Sequence, residues 1–507
     1  MTGGATEPPR RILYYNWVDY LDDERRGGGV TVYQRNLMAA LAAEGADAVF
    51  LSSGISYDLG RRGLRWERVR HGPEQDRDRR YEIVNSGVLS PAHHSFGNPA
   101  QLEEPATQAA FFDFIERTGP YDVIHFNNLE GLPADVLTLK TRWPRTRVIL
   151  SLHNYYPVCP QVNLWHQERA ACTDFEGGAK CGACLPHKPD ERLVRLANGL
   201  AYHLKCAGIR PGTRAFDLIF RQAMRVGGRG ARAAGWLGRR LRGAPVPAAV
   251  RPDPGGFAAR RAGMTERINA HCDLVLCVSD RVRQIAESYG ISSAILRTSY
   301  IGARDAALYD QTRPKPMPSG ENQTLTLGFL GYMRRDKGFF FLLDALESMP
   351  DDLVARLRLT IAALPGPPAA LARLEALRPR LAGLRHVNGY SHDQLDALLA
   401  DVDVGLIPAL WEDNLPQVAI EMHARHIPLL TSDMGGAREL ANCPAMVFAA
   451  GDTAAFSDRI RALLAGEVDW HAYWQGARPP RRMDLHLDEL NRLYKGETAP
   501  ELSPAAP

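Results

Sequence analysis

The sequence predicts an α/β protein with two domains built on parallel sheets. Its 507 residues are too many for one hydrophobic core, so at least two domains are expected. Short apolar runs alternate with amphipathic helices, which is the pattern of parallel sheets covered by helices. Residues 310–324, "DQTRPKPMPSGENQT", are polar and rich in proline, and this change in composition predicts a linker between the two domains.

The composition excludes several classes of protein. With 45% hydrophobic residues, 23% charged residues and a formal net charge of +3, the chain is typical of a globular protein and lacks the basic excess of a nucleic-acid binder. No apolar run approaches the roughly 20 residues that a membrane helix needs. The first residues show no export signal, so we expect a cytoplasmic protein with reduced cysteines.

The first domain is predicted to span residues 10–309. A strand "RILYYNW" is followed by a helix whose buried stripe includes Leu37 and which ends at Gly45. Further strands are predicted at "AVFLSS", "YDVIHFNN" and "RVILSLHN". A helix, a strand ending at Ser279 and a second helix closed by Gly290 complete this half.

The second domain is predicted to span residues 325–475, after the linker. Its predicted strands are "LTLGFLGY", "RLRLTIAAL", "VGLIPAL" and "IPLLTSD". A C-terminal helix within residues 476–497 is expected to pack back on the first domain. Since open parallel sheets bind ligands beyond the carboxyl ends of their strands, this organisation predicts a ligand cleft.

The segment "WEDNLPQVAIEM" supplies acidic residues at one such strand end. Asn414 is predicted to cap a short helix that carries Glu421 in its second turn, which would place Asp413 beside a helix N-terminus. After the next strand, Gly435 and Gly436 would permit a positive φ and a close backbone approach to a bound group. The alternative is a structural capping box followed by a tight turn.

This segment resembles the C-terminal signature of the retaining family 4 glycosyltransferases, which have the GT-B fold of two Rossmann-like domains facing across a cleft. In that signature two acidic residues stand eight positions apart, as Asp413 and Glu421 do, whereas Glu412 is out of register. The resemblance implies that Glu421 holds the donor ribose. It also implies that Asp413 and the backbone amides of Asn414 and Leu415 face the donor sugar, although the family usually has Glu at the first position.

Other segments of the second domain extend the resemblance. Lys337 matches the family lysine that grips the donor diphosphate, and such a cation stabilises the departing phosphate without a metal. The family arginine position is Tyr332 here, so Arg334 or Arg335 is expected to substitute for it. The resemblance further places the nucleobase against two residues at a strand end, Gly389 and Tyr390.

The N-terminal half matches the family at two places. Gly28 and Gly29 correspond to the glycine loop before the first helix, which lines the cleft near the phosphates and the acceptor. His153 stands at the strand end where the family histidine contacts the donor sugar. Asn154 follows it, where the family usually has Asp. The resemblance thus makes a catalytic set of His153, Lys337 and Asp413.

The activity implied by the resemblance is that of a hexosyltransferase-type enzyme. It would move a sugar from a nucleoside-diphosphate sugar to a hydroxyl acceptor, with retention and with no cofactor required for catalysis. Its acceptor would be a small molecule, a glycan or a lipid-linked molecule, in glycan, glycolipid or glycosylated-metabolite biosynthesis. Two alternatives remain: a nucleotide-sugar epimerase of the same fold and a non-catalytic nucleotide-sugar-binding protein.

A cysteine-rich loop at residues 159–187 is an addition to the family pattern. Its four cysteines form a workable tetrahedral set for a structural zinc ion, in which His166 or His187 could replace a thiol. The four are Cys159, Cys172, Cys181 and Cys184. The alternatives are a metal-free loop and a redox pair.

A basic insertion at residues 188–262 is the second addition. It holds 16 Lys and Arg residues against four Asp and Glu residues, with apolar residues between them. One interpretation is a surface that brings the enzyme to an anionic membrane or an anionic acceptor. The other is a solvated helical excursion.

Overall fold

The computed structural model describes residues 10–24, 26–185, 189–227, 253–364 and 366–497. The chain separates into two compact units with interleaved segments. The first unit comprises Met1–Val162, Asp174–Leu276 and Ala286–Arg297. The second comprises Asn163–Thr173, Cys277–Ile285 and Thr298–Pro507. Among the described residues, no helix is both long enough and apolar enough to cross a membrane.

The strands of the described residues fall into two large sheets and one short hairpin. Those of the first half are β1 (Arg11–Tyr15), β2 (Asp47–Ser56), β3 (Arg65–Arg68), β4 (Arg80–Val84), β5 (Val123–Phe126), β6 (Arg147–Leu152), the hairpin β7 (Trp165–His166) and β8 (Ala170–Ala171), β9 (Leu274–Cys277) and β10 (Leu296–Thr298). Those of the second half are β11 (Leu325–Tyr332), β12 (Leu357–Leu364), β13 (Gly383–Asn388), β14 (Val404–Ile407), β15 (Leu429–Ser432) and β16 (Val447–Phe448).

Helices connect most of these strands. The first half has α1 (Gly28–Ala43), α2 (Pro105–Thr118), α3 (Leu139–Arg142), α4 (Ala179–Gly182), α5 (Glu191–Cys206), α6 (Pro254–His271) and α7 (Asp280–Ser288). The second half has α8 (Leu308–Gln311), α9 (Phe339–Ser348), α10 (Asp351–Val354), α11 (Pro368–Ala376), α12 (Leu395–Leu399), α13 (Gln417–His423), α14 (Arg438–Ala441), α15 (Thr453–Ala465), α16 (Trp470–Gly476) and α17 (Met483–Lys495).

The first sheet has eight strands in the order β10-β9-β6-β5-β1-β2-β4-β3. β1 pairs in parallel with β2 on one side and with β5 on the other, so the chain changes direction across the sheet at β1. The edge strand β3 is antiparallel to β4. β1 and β5 are buried along nearly their whole length, as expected of central strands covered on both faces.

The second sheet has six parallel strands in the order β13-β12-β11-β14-β15-β16. This is the order of a dinucleotide-binding Rossmann sheet, with its reversal between β11 and β14. Its core is apolar and aromatic: the rings of Phe341 on α9 and Phe456 on α15 meet edge to face at 5.9 Å. The predicted α/β class with parallel sheets is therefore confirmed.

The predicted elements correspond closely to the observed ones. The helix predicted to end at Gly45 is α1, whose chain leaves through that glycine at a φ of 71°. The predicted strand–helix pair around Ser279 is β9 and α7, and the predicted C-terminal helix is α17. Much of the basic insertion, residues 228–252, lies outside the described residues, as does His187. A peripheral membrane contact through residues 188–262 stays a prediction.

One glycine fixes how the first turn after β11 meets the end of β14. Gly338 precedes α9 with a φ of 74°, and a Cβ built on it would lie 1.7 Å from the carbonyl oxygen of Pro408. Gly451 has a similar φ of 81°, but a Cβ there meets no described atom within 4 Å. An alanine at either glycine would strain the backbone, but only an alanine at Gly338 would also clash with a neighbouring atom.

We predict that Gly338→Ala destabilises the protein by about 1 to 3 kcal/mol more than Gly451→Ala, because only the first adds a steric clash to the strain. Urea denaturation of both variants measures the difference. Equal losses would show that β14 does not approach Gly338 this closely.

Candidate functional site

The reversal of strand order in the second sheet marks the place where a ligand would bind. In open parallel sheets, ligands bind outside the carboxyl ends of the strands at which the order reverses. Here those strands are β11, which leads into residues 333–338, and β14, which leads into residues 408–416. Six of the twelve catalytic and donor-binding residues predicted from the sequence lie in these two connections: Arg334, Arg335, Lys337, Asp413, Asn414 and Leu415.

Lys337 and Asp413 come together at this position. Their Nζ and Oδ2 atoms are 2.5 Å apart, and the side chains are 28% and 11% exposed. The ammonium also lies 5.0 Å from the centre of the Trp411 ring, a cation–π arrangement. The structure thus joins two of the three predicted catalytic residues in one partly buried ion pair, with the cation open enough to meet an anionic ligand.

Glu412, which the spacing had set aside, holds the loop that carries Asp413. Its carboxylate accepts hydrogen bonds from Nε of Arg281 at 3.0 Å and from the backbone N–H of Gly435 at 2.9 Å. A second guanidinium nitrogen of Arg281 also donates to it, which makes the pair bidentate. We call Glu412, Arg281 and Gly435 the loop clamp.

The glycine pair approaches the protein's own backbone. The N–H of Gly436 donates to the carbonyl of Asp413 at 2.9 Å. A Cβ on Gly435 would lie 2.1 Å from that same oxygen, and one on Gly436 would lie 2.3 Å from the carbonyl oxygen of Asn414. The two glycines were expected to approach a bound group; the contact in the structure is with the loop of Asp413, which only residues without side chains can meet so closely.

The predicted helix cap at Asn414 is wrong. Helix α13 begins at Gln417, and its cap residue is Pro416, which is in an extended conformation. Asn414 instead uses its carbonyl oxygen to accept a hydrogen bond from the hydroxyl of Ser279 at 2.8 Å. Proline disfavours helical φ and ψ in the residue before it, so the loop stays extended past Asn414 and the helix starts later.

Glu421 lies on α13 as predicted and is almost fully buried. Its Oε1 is 3.0 Å from Nε2 of His392, and its side chain is 8% exposed. Its other oxygen, Oε2, is buried and has no hydrogen-bond partner among the described residues. Burial raises the pKa of Tyr390, and the nearby charge of Glu421 raises it further. A buried carboxylate oxygen without a donor is costly, and a ligand hydroxyl would satisfy it.

The remaining predicted residues of this half follow strands of the same sheet, at their carboxyl ends. Arg334 donates to Asp336 at 2.9 Å, and its side chain is 60% exposed. The guanidinium of Arg335 lies 5.3 Å from the centre of the Phe340 ring. Gly389 follows β13 with a φ of 72° and donates its N–H to the carbonyl of Ala363 at 2.8 Å. The substitution of Arg334 or Arg335 for the family arginine stays a prediction.

In the first sheet, whose order reverses between β1 and β5, His153 follows β6, the strand next to β5. Its Nε2 is 3.2 Å from Oδ1 of Asn127, the residue that follows β5. Its ring centre lies 5.1 Å from that of Tyr33, on α1, the helix that begins with Gly28 and Gly29. Burial lowers the pKa of His153 to about 4, so its imidazole is neutral at pH 7.

Asn154, the departure from the family pattern beside His153, has a structural explanation. Its side-chain amide donates to Oε1 of Glu130 at 2.9 Å, and Asn128 donates to the same oxygen at 3.0 Å. Glu130 is 2% exposed. A second carboxylate at position 154 would repel this buried one, whereas an amide donates a hydrogen bond to it.

The described residues of the cysteine-rich loop form no metal cluster. In the described part of the chain, no three His, Cys, Asp or Glu side chains group together as a metal site requires. Cys181 and Cys184 are buried with Phe96 and Phe257 in a small apolar cluster, and Sγ of Cys184 lies 2.7 Å from Oε1 of Gln161. The zinc set of Cys159, Cys172, Cys181 and Cys184 thus gains no support from the structure and stays a prediction, which metal analysis of the purified protein would test.

Two family models match the chain. One, described as "Glycosyl transferase 4-like domain", matches residues 28–202, and the other, "Glycosyl transferases group 1", matches residues 324–466. Together they cover more than half of the chain. The chain is a glycosyltransferase. The predicted enzyme class, a glycosyltransferase, is confirmed.

Solved structures are similar to this glycosyltransferase along nearly its whole length. Sucrose-phosphate synthase from Thermosynechococcus elongatus has a TM-score of 0.54 at 15% identity, over 96% of this chain and 98% of its own. A glycosyltransferase from Rickettsia africae has a TM-score of 0.53 at 12% identity, over 97% of this chain and 99% of its own. HepE from Anabaena, solved in complex with UDP, has a TM-score of 0.51 at 13% identity, over 96% and 100%. At such identities the likeness shows the fold alone, and the predicted GT-B fold is confirmed. No curated protein matches the sequence.

The residues that sequence reasoning missed are those that support the site. Arg281 and Ser279 lie far from the Asp413 loop in the chain, and nothing in their local sequence marks them as its partners. His392 lies two residues after Tyr390, which was predicted, but its contact with Glu421 depends on how two connections fold together. The family spacing set Glu412 aside, and only the contacts of the folded chain show what it does.

We predict that Arg281→Ala destabilises the second unit by about 1 to 3 kcal/mol, because the Glu412 carboxylate stays buried after losing two charged donors. Arg283→Ala is the matched control, since that guanidinium is 39% exposed and 3.9 Å from Asp280, and a change of about 0.5 kcal/mol or less is expected. Urea denaturation of the two variants measures the losses. Similar losses in both would contradict the loop clamp.

Proposed function

We propose that this glycosyltransferase moves a hexosyl-type sugar from a nucleoside-diphosphate sugar to a hydroxyl acceptor, with retention at the anomeric carbon. One observation carries the proposal: a lysine–aspartate pair lies beyond the carboxyl ends of adjoining strands in a Rossmann-ordered sheet, and the helix that follows carries a buried carboxylate with one oxygen that has no partner among the described residues. This arrangement presents a cation for a diphosphate and an acceptor for ribose hydroxyls.

Lys337 is proposed to contact the diphosphate of the donor. Negative charge builds up on the phosphate as the glycosidic bond breaks, and a fixed ammonium in a partly buried site stabilises that charge. Asp413 neutralises Lys337 in the free protein, which keeps the ammonium oriented at 2.5 Å. Once the diphosphate is bound, Asp413 and the amides of Asn414 and Leu415 would face the donor sugar.

Glu421 is proposed to hold the donor ribose. A carboxylate that is 8% exposed loses much of its solvation, and one of its oxygens has no hydrogen bond within the described residues. The two hydroxyls of a ribose are donors that can supply this bond. Tyr390 lies close enough to Glu421 for its pKa to be raised by that carboxylate, which agrees with the proposed nucleobase position at Gly389 and Tyr390.

Catalysis would depend on positioning and on charge stabilisation. In a front-face displacement, the leaving phosphate takes the acceptor proton as the sugar moves, so no protein nucleophile is needed. His153 is neutral at pH 7 because burial lowers its pKa to about 4, so it would act as a hydrogen-bonding group toward the sugar. The resemblance to family 4 motivates this route and the retaining outcome.

The donor can be identified by a thermal-shift screen with UDP-, GDP- and TDP-sugars. HepE from Anabaena was solved with UDP, so UDP-sugars are the first to test. The donor that stabilises the protein is then incubated with hydroxyl acceptors, and proton NMR reads the anomeric configuration of the product. An epimerised donor without transfer would support the epimerase instead, and an inverted product would contradict retention.

We predict that Glu421→Gln weakens binding of the matching nucleoside diphosphate by about 10- to 100-fold, because a hydrogen bond to a charged group is worth about 1.5 to 3 kcal/mol. Glu467→Gln, an exposed position in the same unit, is the control and should bind with wild-type affinity. Isothermal titration calorimetry measures both dissociation constants. Wild-type affinity in Glu421→Gln would remove the proposed ribose contact.

A further inference from the structure

His392 is the described partner of the buried carboxylate proposed to hold the ribose. It opens a short 3₁₀ turn, His392–Gln394, which follows the end of β13. A reciprocal capping box between Ser391 and Gln394 holds the turn: the backbone N–H of Ser391 donates to Oε1 of Gln394 at 3.0 Å. The histidine ring is thus presented from a fixed backbone to Glu421 on α13.

The contact leaves the two oxygens of Glu421 in different states. Oε1 is 3.0 Å from Nε2 of His392, while Oε2 is buried with no hydrogen-bond partner in the described ranges of the chain. The terminal torsion of a glutamate is broad, so a carboxylate without partners can turn over a wide range. A hydrogen bond to one oxygen restricts this rotation and determines where the other oxygen points.

We propose that His392 is a positioning residue of the nucleotide site: it donates from Nε2 to Oε1 of Glu421 and thereby fixes Oε2 as the acceptor for a ribose hydroxyl. The inference rests on the proposed function, in which Glu421 holds the donor ribose. It adds a residue that touches the carboxylate and acts on the ligand through it.

The charges around His392 favour its protonated form. The hydrogen bond with Glu421 raises the pKa of His392 above its ordinary value, and Asp305 acts in the same direction. Burial and Arg304 oppose this shift. The neighbouring Asp393 is exposed; a hydrogen bond with the Ser391 side chain lowers its pKa, and the charge of His392 adds to this effect. Glu421 is the nearest anion, so the pair is ionic over a wider pH range than a free histidine would allow.

The sign of the pH effect follows from this raised pKa. Below it, His392 is a cation and its bond to Glu421 is charge-assisted and strong. As the pH rises through it, His392 loses its charge and the bond weakens, so Glu421 is held less firmly. The His392–Glu421 pair is therefore most stable below the pKa of His392, and the affinity for nucleotide is highest there. Both decrease as the pH rises through that pKa.

Two substitutions separate positioning from a general structural role. His392→Leu removes the donor and keeps a side chain of moderate size. His392→Gln keeps an N–H donor that does not titrate. His471→Leu, on α16, is the control for loss of a histidine from the same unit, and its ring is exposed. Thermal unfolding of each variant verifies that it is folded.

The measurement is binding of whichever of UDP, GDP and TDP stabilises the wild-type protein, by calorimetry between pH 6 and 9. We expect His392→Leu to raise the dissociation constant about 3- to 10-fold at pH 6 and to show a smaller increase with pH than the wild-type protein. His392→Gln should restore most of the affinity but keep the smaller pH dependence of His392→Leu. In turnover assays, the donor KM of His392→Leu should rise by a larger factor than kcat falls.

The outcomes distinguish this inference from the function on which it rests. Wild-type affinity and pH profile in His392→Leu, together with weak binding in Glu421→Gln, would overturn the positioning role alone. Wild-type affinity in Glu421→Gln would overturn the ribose contact and the role of His392 with it. An equal loss of affinity in His392→Leu and His392→Gln would also overturn the inference, because the restored donor would then have had no effect.

Discussion

The bidentate pair between Arg281 and Glu412 is the interaction on which the candidate site most depends. It anchors the loop after β14, and the same carboxylate accepts the N–H of Gly435, so one side chain joins the loop to the turn after β15. The hydroxyl of Ser279 donates to the carbonyl of Asn414, later in the same loop. Because the loop is restrained from two sides, Asp413 meets Lys337 in a defined geometry before any ligand arrives. Such preorganisation is how an enzyme stabilises developing charge without reorganising its own groups.

The three acidic residues of "WEDNLPQVAIEM" therefore have three separate environments. The carboxylate of Glu412 accepts hydrogen bonds from Arg281 and Gly435, and Asp413 is paired with a partly exposed lysine. Glu421 is buried, and one of its oxygens has no hydrogen-bond partner among the described residues. A carboxylate whose hydrogen bonds are complete serves structure, whereas one that is buried and incomplete is available to a ligand. Burial and hydrogen-bond partners, which are properties of the folded chain, separate residues that look alike in the sequence.

The departures from the family pattern have different physical meanings. Asn154 is explained by the buried Glu130, which accepts a hydrogen bond from its amide. Tyr332 stands where the resemblance implies an arginine; its ring is 40% exposed at the end of β11, and it lies close enough to raise the pKa of Tyr390. An aromatic ring at this edge offers a flat apolar surface in place of a second positive charge. Asp413 shortens the acidic side chain by one methylene and still reaches Lys337.

The sequence by itself determined the α/β class, the position of most strands and helices, and the set of residues at the strand ends, because periodicity and local turn chemistry are properties of neighbouring residues. The resemblance to the family signature also distinguished Asp413 and Glu421 from Glu412, by their spacing of eight residues. It misplaced the helix cap at Asn414, and it did not reveal that Gly435 and Gly436 meet the Asp413 loop. Only the tertiary structure decided which site residues Arg281, Ser279 and His392 contact, since these partners lie 29 to 135 residues away along the chain. Contacts between such distant segments depend on strand order and on the paths of several connections, and no local pattern encodes them.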